Sequence, residues 1–128
     1  MELTFQLHHA GMWHDAAAVT IPLPDAGIKG ATTTAYENTY FLDHGAIALS
    51  EDNPVRDARA LSVRFPIDLA SRGLPTWPPF LLDLLPQGHQ RRKLAGHLSL
   101  DPDAASTDIH LLMRLAGAPI GNLRIKQP

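Results

Sequence analysis

Trp77-Pro78-Pro79-Phe80-Leu81-Leu82-Asp83-Leu84-Leu85-Pro86-Gln87-Gly88-His89 is the stretch at which the chain changes character. With Gly73 and Pro75 just before it, the prolines make Ser71 to Pro79 a stiff connector, because a proline can open a helix but not sit inside one. A short apolar helix over Phe80 to Leu85 follows, and Pro86 and Gly88 end it. Gln90 to Leu98 reads as a second helix, with Leu94 and Leu98 on one side and Arg91, Arg92 and Lys93 toward solvent. After a turn over Asp101 to Ala105, Ser106 or Thr107 caps a third helix, Asp108 to Ala116. Its inward stripe is Ile109, Leu112, Met113 and Ala116, and Gly117 and Pro119 mark its end. Ile120 to Ile125 returns to a sheet as a final strand.

Upstream the pattern is that of strands. Leu3, Phe5 and Leu7 alternate with Thr4, Gln6 and His8, the period of a strand with one buried face. Gly11 turns the chain into a second strand ending near Val19 to Ile21, where Pro22 and Pro24 stop it. Gly30 to Leu42 is rich in Thr, Tyr and Phe, whose shapes fit a pleated surface, and reads as another strand or two. Asp52 to Asp57 is a polar loop, and Leu61, Val63 and Phe65 alternate as a further short strand before Pro66. Strands, then three short helices, then a strand predict an α+β domain, an antiparallel sheet with the helices on one side.

At 128 residues the chain is one domain, 1–128, large enough to bury a core. With 11 Lys and Arg against 13 Asp and Glu the net charge is −2, which gives no general drive toward nucleic acid or an anionic membrane. The absence of cysteine removes disulfides, thiolate metal sites and a cysteine nucleophile, and suits a reducing cytoplasm. No window approaches the roughly 20 apolar residues that span a bilayer.

Searching for chemistry yields little, and no catalytic residue, cofactor or metal is expected. Gly117 and Gly121 lack the Lys and the hydroxyl residue of a phosphate-binding loop, and no His-Arg-Asp or Asp-Phe-Gly segment of a kinase is present. No serine sits in a Gly-x-Ser-x-Gly elbow. His8, His9 and His14 lie in or beside a hairpin, where adjacent residues point to opposite faces, so His8 and His9 cannot easily share an ion. A small enzyme built on scattered His and Asp residues would depend on His14 or His44. The run Gln90 to Lys93 with Arg114 is the material for a nucleic-acid binder, but the connector Leu100 to Ala105 is long and acidic for a helix-turn-helix, and direct DNA contact is not expected. Trp77 has two readings. It folds back over the helix that follows, as large aromatics usually do, or it enters a partner from its stiff loop. Trp13 reads as sheet packing.

The stretch Trp77 to His89 with Arg91 and Arg92 resembles the hallmark of the HipA N-terminal domain. In that family an aromatic-led short helix ends in Leu-Leu-Pro-x-Gly ahead of an arginine-bearing helix. Ala116-Gly117-Ala118-Pro119-Ile120-Gly121-Asn122-Leu123-Arg124-Ile125 is similar to the family's closing helix, glycine and small-residue strand. The resemblance is specific over Leu61 to Ile125 and generic before it. It implies a non-catalytic, cytoplasmic bacterial protein that binds a HipA-like or HipT-like Ser/Thr kinase body. The chain then corresponds to the HipS antitoxin of three-part HipB-HipS-HipT systems, with a HipB-like helix-turn-helix repressor as a further partner. An excised N-terminal domain of a single-chain HipA-like kinase fits the same resemblance. The contacts it implies are Trp77, Phe80, Gln87, Gly88, His89, Arg91 and Arg92. One departure stands out: the small subunits carry a tryptophan after the Leu-Pro-x-Gly turn, reaching toward the kinase active site, where this chain has His89, unless Trp77 does that work from the connector.

Overall fold

A computed structural model of the chain describes residues 1–127. Five strands form one antiparallel sheet: β1 (Glu2–His9), β2 (Met12–Thr20), β3 (Thr32–Tyr36), β4 (Arg72–Leu74) and β5 (Leu123–Ile125), in the order β4-β3-β2-β1-β5. The helices are α1 (Asn38–His44), α2 (Ala46–Ser50), α3 (Pro79–Leu82), α4 (Gly88–His97) and α5 (Thr107–Arg114), and Pro24–Lys29 forms a 3-10 segment between β2 and β3. The α+β architecture is the one the residue pattern predicts, with α1 and α2 added to the three expected helices.

The hairpin follows from alternation. Leu3, Phe5, Leu7, Ala17 and Val19 are buried on the face that meets the helices, where Phe80 of α3 touches Phe5 edge-on at a centroid distance of 5.5 Å and Phe65 at 5.2 Å. One irregularity decides what lies further along. Phe5 pairs with Ala17 but Gln6 pairs with Asp15, so Ala16 is the extra residue of a β-bulge. The bulge shifts the phase of β2, and His14 therefore opposes Leu7 on the helix-covered face. Gln6, Asp15, Trp13 and Arg124 take the other face, where Gln6 donates to Asp15 at 2.7 Å, Arg124 donates to Gln6 at 2.7 Å, and the Arg124 guanidinium lies 4.1 Å from the Trp13 ring.

Three expectations need correction. The strand read into Gly30 to Leu42 ends at Tyr36, and Asn38–His44 is helical: its Tyr40 and Phe41 are both buried, and Tyr40 stacks on Tyr36, so tertiary packing overrides β-propensity. Leu61 to Phe65 is a turn with one isolated bridge between Ser62 and Phe65, and Val63 is 66% exposed, so the apparent alternation has no single buried face. What holds this turn is the Tyr36 hydroxyl, which donates to the Phe65 carbonyl and accepts from Leu61 N–H at 2.9 Å; burial pushes that phenol up to about 12. Finally, the connector contains β4, a strand that its glycine and prolines conceal.

Gly27 interrupts the 3-10 segment with φ of 65° and ψ of −150°. A Cβ there would strike both the Asp108 carboxylate and the Ala105 carbonyl, so only glycine admits the approach of this segment to α5. None of the helices of the described residues is long and apolar enough to cross a membrane.

Candidate partner-binding face

The site is assembled around one buried carboxylate. Asp108, in the first turn of α5, accepts from the Ile28 backbone N–H at 2.9 Å and pairs with Arg91 of α4 at 2.7 Å. Arg91 also donates from Nε to the Pro102 carbonyl at 2.8 Å. Each oxygen of Asp108 thus holds a different element, which satisfies the buried charge and fixes the 3-10 segment, α4 and α5 to one another. Beside this clamp a cleft of about 320 Å³ opens between Ile28, Lys29, Leu82, Leu85 and Gln87. At its rim Gln87 is extended and Gly88 opens α4 with φ of 56°, so the Pro86-Gln87-Gly88 turn has a conformation that favours glycine.

The seven residues implied as contacts separate into two groups. Trp77 is 1% exposed and Phe80 6%: both belong to the core, with Trp77 N–H of the backbone donating to the Ile28 carbonyl at 3.0 Å. In this conformation Trp77 is enclosed and is not presented to a partner. Arg91 is held inside the clamp. Gln87, Gly88, His89 and Arg92 are exposed and adjacent, on the turn and first turns of α4. The basic run is thereby reduced, since Arg91 is spent on Asp108 and only Arg92 and Lys93 remain toward solvent.

A second cluster went unseen at the level of sequence. His8 and His9 do point to opposite faces, and His8 meets Trp13 edge-on. His9, however, lies 4.0 Å from His14 ring to ring in a parallel stack, and His44 at the end of α1 sits 4.8 Å from His9 and 5.0 Å from His14. One candidate ligand nitrogen from each falls within 4.8 Å of the other two. Partial burial, followed by the neighbouring imidazoles, holds His9 and His44 below the ordinary histidine range. Alternation carried along β2 from Val19 and Ala17 would have turned His14 away from His9; the bulge at Ala16 and the unexpected helix α1 were the missing signals. An open cleft of about 620 Å³ adjoins the cluster, lined by Trp13, His14, Glu37, Tyr40, Asp43 and His44.

Compared with curated proteins, the chain matches none. The family described as HipA N-terminal domain matches residues 25–126, from the 3-10 segment through β5, and so includes the clamp, the α3–α4 turn and α5. Because that match spans most of the sequence and covers the elements that build the face, the chain belongs to the HipA N-terminal domain family.

Proposed function

We propose that this chain is a non-catalytic module that docks on the body of a HipA-like or HipT-like Ser/Thr kinase and lowers its activity, as the antitoxin subunit of a bacterial toxin-antitoxin system. The observation that carries this reading is the coincidence of the family match with a rigid, exposed turn: Gln87, His89 and Arg92 project from elements locked together through Asp108. Preorganised side chains lose little conformational freedom on binding, and the apolar floor of the adjoining cleft, Ile28, Leu82 and Leu85, offers area to desolvate. A HipB-like repressor is the proposed third member, and the cytoplasm the proposed setting.

A nucleic-acid reading has less support. The N-terminal end of a recognition helix must be free to meet base edges, whereas Thr107 and Asp108 at the start of α5 are buried.

Titrating the purified chain against the matching kinase body is expected to give a complex at micromolar concentration or below and reduced phosphorylation. Replacing Gln87, His89 and Arg92 together by alanine should weaken the complex at least tenfold, about 1.4 kcal/mol, with the melting temperature nearly unchanged because all three are exposed. Absence of binding at micromolar concentration overturns the proposal. A complex with undiminished phosphorylation would instead identify a purely structural domain of a HipA-like kinase.

A further inference from the structure

We propose that His9, His14 and His44 form a binding site for a divalent transition-metal ion, zinc(II) foremost, that ties the tip of the β1–β2 hairpin to α1. The three imidazoles come from both arms of the hairpin and from α1, and their candidate ligand nitrogens converge within 4.8 Å. None of the three ligands is a carboxylate or thiolate, and an all-imidazole set suits zinc, copper or nickel and not magnesium or calcium.

The hydrogen bonds fix which nitrogens are free. The Tyr40 hydroxyl has one proton, and it is donated to the Arg59 carbonyl. Toward His9 Nε2, at 2.8 Å, the same oxygen therefore accepts, so His9 carries its proton on Nε2 and leaves the lone pair on Nδ1. His14 Nε2 lies 3.1 Å from the His9 carbonyl oxygen, which can only accept; His14 is likewise protonated on Nε2 and free on Nδ1. This is how metal-binding histidines are commonly prepared, with the outer N–H donated to a carbonyl or other acceptor so that tautomer and ring orientation are set before the ion arrives. Partial burial, and after it the neighbouring imidazoles, disfavour protonation of His9 and His44, which leaves their lone pairs available to a metal ion.

A zinc ion bound at about 2.0–2.1 Å places tetrahedral ligand nitrogens about 3.3 Å apart. Ligand nitrogens that already lie within 4.8 Å of one another have at most about 1.5 Å to close to reach that value. The open cleft that His14 and His44 line leaves room for a water as the fourth ligand. His9 and His14 lie outside the family match and His44 inside it, and none of the three belongs to the docking face described above.

The test uses untagged, chelator-treated protein titrated with zinc chloride at pH 7.5 by calorimetry. One ion per chain is expected at micromolar affinity or tighter, with no saturable heat from magnesium. Zinc in hundredfold excess over its Kd should raise the melting temperature by several degrees. His14→Gln and His44→Gln, each first shown to melt like the parent in chelator, should weaken zinc binding about 100-fold, while His97→Gln on exposed α4 binds as the parent does. Nitrogen-15 NMR of the imidazoles should show the metal-induced shift at Nδ1 of His9 and His14, with Nε2 still protonated. No saturable binding at about 100 µM zinc, well above the micromolar Kd expected, or undiminished binding in both cluster variants, overturns the proposal.

Discussion

Trp77→Ala is expected to destabilise the fold by about 4 kcal/mol, read as a lower urea midpoint at unchanged m-value. The indole is 1% exposed, among the largest side chains to be fully enclosed, and alanine would leave a cavity that the surrounding prolines resist closing. Its ring N–H adds a twist: it is buried with no hydrogen-bond partner among the described residues. Phenylalanine removes that orphaned donor along with some volume, so Trp77→Phe should cost much less, about 1–2 kcal/mol. If Trp77 were a partner anchor instead, alanine would leave the melt in place and abolish docking. The two measurements therefore separate the core role from the contact role that the sequence left open.

Asp108→Ala is expected to be comparably severe, about 3–5 kcal/mol. It strips Arg91 of its counter-charge and orphans the Ile28 N–H in one change. The carboxylate is the more enclosed partner, at 7% side-chain exposure against 18% for Arg91, so its removal leaves a cation that solvent reaches only partly. Arg91→Ala on the Asp108→Ala background should then cost little, and the double-mutant cycle should yield a coupling energy of about 1–3 kcal/mol. Strictly additive effects would mean that the two side chains do not act as a pair. Because the clamp also positions the Pro86-Gln87-Gly88 turn, the same variant should weaken kinase docking more than the loss of any one exposed contact.

Much of this fold is legible from local signals. The first hairpin follows from alternation, and α3, α4 and α5 follow from Pro79, Pro86, Gly88 and Gly117 acting as punctuation. What escaped reading depends on distant partners. Tyr40 and Phe41 favour a strand in isolation but become helical because Tyr36 and the Leu61–Phe65 turn give them somewhere to pack. Asp108 reads as an ordinary helix-opening acid, and nothing local shows that Gly27, about eighty positions earlier, leaves room for it. The candidate site divided in the same way. Exposed Gln87, His89 and Arg92 are recognisable from the turn, whereas the burial of Trp77 and the capture of Arg91 are settled by the whole packing arrangement. The histidine cluster is hidden most deeply, since it requires both a one-residue bulge and a helix where strand was expected.

The strand order bears on self-association. The outermost strands, β4 and β5, are three residues each, while the eight- and nine-residue β1 and β2 lie inside. Where β2 runs past β3, Glu37 N–H already occupies the Ala16 carbonyl, and past β5 the Lys126 N–H occupies that of Thr4. Short outer strands offer little main chain to template an intruding strand. Among the described residues, neighbouring molecules in a crowded solution consequently meet terminal strands of only three residues, a poor start for a fibril.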